Sequence, residues 1–202
     1  MPVLAVVLVL ILAAWPNQWH LDRTGYWTSQ IDWFITLNLA LSAWPGQIWS
    51  NLTLLGDAAV LIVLLCPLLV WRPQAWAAML GAAPVAAAIW VTGKYLAAMP
   101  RPAAVLDQQH FTVIGDTLSV YNSLPSGHTI TVFAAAVAVF GTLIPQPRSG
   151  RDWSSLLAGL PVAAIVCLSR VAIGAHWPLD LLAGAAGGWI AGLSGAALAW
   201  RH

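Results

Sequence analysis

Three short stretches of the chain hold residues whose types and spacing suit one reaction. Lys94 and Arg101 stand in "KYLAAMPRP" (94–102), Ser126, Gly127 and His128 in "PSGH" (125–128), and Arg170, His176 and Asp180 in "SRVAIGAHWPLD" (169–180). Lys94 and Arg101 are seven residues apart, so they share a face for as long as a helix persists. Pro100 and Pro102 favour a break near Arg101. Arg170 offers a planar fork of donors matched to phosphate oxygens. Ser126 and Gly127 sit where a polar turn feeds the apolar run "TVFAAAVAVFGTLI". That is a helix start, where free N–H groups and the helix dipole favour an anion, and Gly127 lets the backbone come close. Three cations and a helix terminus make a cradle for one anion, with phosphate the obvious candidate.

The two histidines then take different parts. His176 lies four residues before Asp180, and Pro178 suits a first helical turn, so a helix is expected to begin between them. Asp180 can accept from one ring nitrogen of His176 and leave the other as a nucleophile. His128, arriving from another segment, can protonate a leaving oxygen and later take a proton from water. The cations already offset transition-state charge and no carboxylate cluster is present to hold magnesium, so neither a metal nor a cofactor is expected.

The elements that must bring these residues together are set by composition. The chain has 202 residues, 60% of them hydrophobic and 7% charged, with a net charge of +1. So few charges do not cover a water-facing surface, which points to the bilayer as solvent, and a charge near zero implies no nucleic-acid partner. The length suits a single domain, 1–202. The fold class expected is all-α: a polytopic membrane bundle of six spans at about 2–19, 50–71, 75–97, 127–145, 154–174 and 178–200. Between the first two spans, Trp27, Ile31, Phe34, Ile35 and Leu41 recur at helical spacing, with Ser29, Asp32 and Thr36 for the other side. They predict a helix lying in the interface. Arg72, Arg148, Arg151 and Arg201 fall on the even connections and the C-terminus, which puts both termini in the cytoplasm. Many of the 13 tryptophans then fall at span ends: Trp15, Trp19 and Trp49 outside, Trp71, Trp76, Trp153 and Trp200 inside. Lys94, Arg101, His128, Arg170, His176 and Asp180, none of which enters that charge pattern, all gather at the outward ends.

Other residues carry less. Asp57 in the second span is read either as a carboxylate backing Lys94 or a cradle arginine, or as a carboxyl bonded to nearby backbone or lying in a wet cleft. Asp107, His110 and Asp116 read as an ordinary polar loop. Gly184, Gly188 and Gly192 read as a close-packing helix face. Cys66 and Cys167 lie in apolar runs and read as small hydrophobes.

With order and spacing K-x6-R-P, P-S-G-H and S-R-x5-H-x3-D, the three stretches resemble the type 2 phosphatidic acid phosphatase superfamily residue for residue. Leu124 is a mild departure, since many relatives have an aromatic residue there. The resemblance implies a metal-independent phosphatase that forms a covalent phosphohistidine on His176. It makes His128 the acid and base, Asp180 the orienter, and Lys94, Arg101, Ser126, Gly127 and Arg170 the phosphate binders. It further implies a bacterial-type cytoplasmic-membrane enzyme whose site faces outward, toward periplasm or exterior. The substrate expected is a lipid phosphate or diphosphate, foremost an undecaprenyl or other polyprenyl diphosphate. Lipid A, phosphatidate and phosphatidylglycerol phosphate stay open, as does transfer to a second lipid. A transporter fits poorly, because it would spread polar groups over both faces.

Overall fold

The computed structural model describes residues 23–115, 121–142 and 159–200. The expected first span at 2–19 lies outside them, as do Asp116, Trp15, Trp19, Trp153, Arg148, Arg151 and Arg201. Among the described residues the regular structure is helical, apart from one isolated bridge between Pro100 and Tyr121. In chain order the helices are α1 (Arg23–Thr28), α2 (Ile31–Leu41), α3 (Gly46–Thr53), α4 (Ala58–Leu65), α5 (Leu68–Trp71), α6 (Pro73–Ala97), α7 (Pro102–Val105), α8 (Gly127–Thr142), α9 (Leu160–Ala172) and α10 (Pro178–Ala199).

Among the described residues α6 and α10 are each long and apolar enough to cross a membrane, and α3 with α4 would make a third crossing if the bent pair counts as one. α8 and α9 are shorter apolar helices inside the spans expected at 127–145 and 154–174.

The centre of the bundle is α10 against α8 and α6, with α6 also against α8. Small residues make this possible, because lipid supplies no hydrophobic drive between helices and close van der Waals contact must take its place. Ala78, Ala82, Ala134, Ala138, Ala191 and Ala199 form one buried cluster. A Cβ on Gly188 would lie 2.5 Å from the carbonyl oxygen of Ile130, and one on Gly192 would lie 2.7 Å from that of Ala134. The glycine row expected from the sequence is therefore where α10 and α8 touch backbone to backbone.

Three expectations need correction. The second span is not a straight helix from 50 to 71. α3 starts at Gly46, continues through a 3-10 turn at Leu54–Gly56, and bends by 73° into α4. Asp57 makes the bend: its backbone is extended, and its carboxylate accepts from the N–H groups of Ala59 and Val60, starting a new helix. The helix expected across 24–46 is two helices, broken at Ser29–Gln30. Its buried stripe is Gln30, Phe34 and Asn38, with Tyr26 one turn earlier, rather than the apolar set alone. Trp49, expected in an outer aromatic belt, is 8% exposed, packs with Ala172, Ile173 and Ala175, and donates its indole N–H to the Leu41 carbonyl.

Candidate active site

The polarity of the helices brings the three stretches together. α6 and α9 run toward one end of the bundle, and α8 and α10 start from it. Lys94 is in the last turn of α6, Arg170 in the last turn of α9, His128 in the first turn of α8 and Asp180 in the first turn of α10. Between α6 and α7 the chain turns through a left-handed Ala98 (φ 43°), and Arg101 follows in extended backbone. Lys94 and Arg101 thus share the site through a turn, not along one continuous helix.

These groups line one end of a cleft of about 990 Å³ that includes Lys94, Arg101, His128, Arg170 and His176. Away from that end the walls are apolar: Leu61 and Ile62 of α4, Met79, Leu80 and Ala83 of α6, and Ile130 and Ala134 of α8.

His176 and Asp180 form the buried centre, 2% and 0% exposed, with Nδ1 of the ring 3.1 Å from Oδ2 of the carboxylate. The same Oδ2 accepts from the Trp177 N–H at 2.9 Å and from the Ser123 hydroxyl at 2.5 Å. Oδ1 accepts from the Tyr26 hydroxyl at 2.8 Å. With Nδ1 donating to Asp180, Nε2 of His176 keeps its lone pair. Burial pushes the His176 imidazole down to about 3; Asp180 opposes that push, and the charges of Arg170 and Arg101 add to it. The ring is held neutral, as a nucleophile must be.

Around this pair the cations are pinned from behind. Arg170 donates from Nη1 to the Thr53 hydroxyl at 2.6 Å. The Lys94 ammonium donates to the carbonyl oxygens of Asn122 and Ser123, fixing the turn that leads into Pro125. The N–H groups of Asn122 and Ser123 bond the Met99 carbonyl, and the Trp177 indole bonds that of Pro100. The Met99–Pro100 corner therefore ties together the strands of chain that carry Arg101, Ser126 and His176. Three buried polar atoms have no partner among the described residues: Nε of Arg101, Nε of Arg170 and Oγ of Ser126. Buried donors almost always find acceptors, and an oxyanion held between these residues would supply them. Gly127 leaves room for the Trp90 indole, since a Cβ there would meet its nitrogen at 3.0 Å.

Every residue singled out from the three stretches lies at this end. Asp57 is there too, lining the cleft beside His128, but its carboxylate caps α4 and, among the described residues, forms no ion pair with Lys94 or an arginine. The backbone-bonded alternative is the one observed. His110 and Asp107 are exposed, 3.9 Å from each other, and outside the cleft. Sequence reasoning missed Tyr26, Thr53 and Ser123. The signal for the first was the four-residue recurrence of Tyr26, Gln30, Phe34 and Asn38.

A family model described as the PAP2 superfamily matches residues 74–202. An undecaprenyl-diphosphatase from Sulfolobus acidocaldarius is 34% identical over 111 residues, which are 54% of this chain and 48% of that protein. A lipid A 1-phosphatase from Porphyromonas gingivalis is 43% identical over 72 residues, 35% of this chain and 15% of that protein. The chain thus spans half or less of the length of these curated relatives. Among solved structures, Aquifex aeolicus LpxE superposes with a TM-score of 0.66 at 22% identity, covering 86% of this chain and 95% of that one. A phosphatidylglycerolphosphate phosphatase from Bacillus subtilis superposes with a TM-score of 0.58 at 18% identity, covering 98% and 94%. At those identities the likeness speaks for the fold.

Proposed function

The chain belongs to the PAP2 superfamily, and we propose that this integral membrane protein is a lipid phosphatase working through a phosphohistidine at His176. The observation that carries the reading is the convergence, around one end of one cleft, of an Asp180-oriented histidine with Arg101, Arg170 and Ser126, whose buried Nε, Nε and Oγ atoms have no partner among the described residues.

In the proposed reaction the phosphoryl group sits among Arg101, Arg170, Lys94, Ser126 and the start of α8 at Gly127, which spread its charge. Nε2 of His176 attacks phosphorus. A P–N bond forms, the bond to the lipid oxygen breaks, and His128 gives that oxygen its proton. Water then attacks the phosphohistidine, His128 takes the water's proton, and phosphate leaves with His176 restored. Asp180 holds the ring and offsets the positive charge it acquires. The chain's own cations serve the role a metal would otherwise fill.

The apolar walls of the cleft suit a lipid tail running between α4 and α6 while its head meets the cations. Lipid phosphates and diphosphates are the substrate class, with a polyprenyl diphosphate foremost, in keeping with the undecaprenyl-diphosphatase relative. The site end faces outward in this reading, since Arg72 stands at the opposite end of α6 from Lys94.

The test is a panel of purified polyprenyl diphosphate, phosphatidate, phosphatidylglycerol phosphate and lipid A, assayed for phosphate release in the presence of a chelator. Release that survives the chelator and is lost in His176→Ala supports the reading, and the ranking names the substrate. Full turnover by His176→Ala would overturn the mechanism. A newly phosphorylated second lipid in place of free phosphate would make the protein a transferase.

A further inference from the structure

We propose that Tyr26 is a positioning residue for the His176–Asp180 pair, its hydroxyl fixing the carboxylate so that the histidine ring stays aimed. The inference rests on the reading of His176 as nucleophile.

The two oxygens of Asp180 are held unequally. Oδ2 meets His176, Ser123 and the Trp177 N–H, whereas the hydrogen bond at Oδ1 comes from Tyr26 at 2.8 Å. A carboxylate anchored through one oxygen can turn about its Cβ–Cγ bond, and three donors then compete for the oxygen that must face the ring. Tyr26 removes that freedom. Burial, then the Asp180 charge, hold its phenol above the usual range, so it remains a donor at any working pH.

Tyr26 is delivered by a segment strapped to the loop that carries His176. Gln30 accepts from the Leu179 N–H at 2.8 Å, just past the loop. Asn38 donates to the carbonyls of Val171 and Ala172 at 2.8 and 3.2 Å, just before it. Phe34, fully buried between them, packs edge-on against Trp177. Tyr26 of α1, Gln30 at the break, and Phe34 and Asn38 of α2 thus form one i, i+4 row, clamped to both flanks of His176. Packing alone would be served by phenylalanine at position 26. The hydroxyl, aimed at a buried charge, is what packing does not require.

The experiment uses the full chain reconstituted in lipid, as wild type, Tyr26→Phe, Asp180→Asn and the double variant, with the best substrate of the panel. Tyr26→Phe should lower kcat by about 10- to 100-fold, taking the range seen for hydrogen-bond partners of metal-ligating histidines as the scale for a partner one bond removed, with KM changed less than about twofold. In the Asp180→Asn background the same change should alter kcat by less than about twofold, because a residue acting through Asp180 has nothing left to act on. A second readout needs no turnover: ¹⁵N-histidine spectra should show the His176 ring as a single Nδ1–H tautomer in wild type and as a mixture in Tyr26→Phe. Unchanged kcat and tautomer in Tyr26→Phe would overturn the proposal, as would an equal loss in both backgrounds. Were His176→Ala still active, the reading of His176 would fail instead, and the tautomer result would still report on Tyr26.

Discussion

Gly188 gives the sharpest test of how the bundle sets the site. A Cβ built there would lie 2.5 Å from the Ile130 carbonyl oxygen, 2.6 Å from Phe133 Cβ and 3.0 Å from the Ala134 nitrogen. Carbon contacts relax at about 3.5–4.0 Å, so Gly188→Ala must part α10 from α8 by roughly 1 Å. Two of the three atoms are backbone and cannot swing aside, which places the change toward the upper end of overpacking losses, about 1–3 kcal/mol. The better helix propensity of alanine returns about 1 kcal/mol, leaving a net loss of about 2 kcal/mol. For a chain of this size that is a fall of roughly 4–8 °C in Tm. Gly81 of α6 is the control: the nearest atoms to a Cβ there are 3.4 and 3.6 Å away, so Gly81→Ala should hold or raise Tm. Because α8 carries His128 and α10 carries Asp180 in their first turns, the separation should also lower kcat in Gly188→Ala and not in Gly81→Ala. Thermal unfolding in one detergent and steady-state kinetics decide it. Equal Tm values for the two variants would refute the backbone contact as described.

Three further outcomes are expected. Thr53→Val removes the acceptor that aims Arg170, and the loss of about 1.5 kcal/mol for a charged hydrogen bond should lower kcat/KM roughly tenfold with little change in Tm. Asp57→Ala should destabilise the protein by about 1 kcal/mol through loss of the α4 cap, while Asp57→Asn, which can still cap, should stay within a few tenths in the same melting assay. His176 is held neutral in the fold, with its folded value near about 3 against about 6.5 when unfolded. The unfolded chain therefore binds the extra proton first as pH falls, so stability is full above about pH 6.5 and declines toward pH 3. His176→Gln should flatten that part of a Tm-versus-pH profile, and an unchanged slope would count against the burial argument.

Much of the site was legible because it is written in fixed spacings. His176 to Asp180 is one helical turn across Pro178, and the parity of the spans puts Lys94, His128 and Arg170 at one end without any tertiary information. The backing residues were not legible in the same way. Thr53 reaches Arg170 from 117 positions away, and Tyr26 reaches Asp180 from 154. The bend at Gly56–Asp57 is hidden in sequence because the apolar run continues on both sides of it, so hydropathy reads one span. The stripe of Tyr26, Gln30, Phe34 and Asn38 was masked for a related reason. Apolar residues fall on both faces of this segment, and Ile31, Ile35 and Leu41 outvoted the polar groups that mark the packed side. Trp49 was misplaced for the same cause, since an indole can serve a membrane belt or a buried contact and the local sequence does not distinguish them.

The 73° bend between α3 and α4 also bears on how a water-insoluble molecule is handled. By swinging α4 away, it sets Leu61 and Ile62 in the apolar lining of the cleft with Met79, Leu80 and Ala83, and in the proposed reading that flank would serve as a side door from the lipid. Dragging a hydrocarbon chain into water costs about 0.8 kcal/mol for each methylene, so ten of them would add about 8 kcal/mol to any route that began with extraction. A lipid substrate of the proposed kind, arriving sideways, would escape that penalty. Its search would be confined to two dimensions, and the product of the proposed reaction would drift back into the same sheet of lipid.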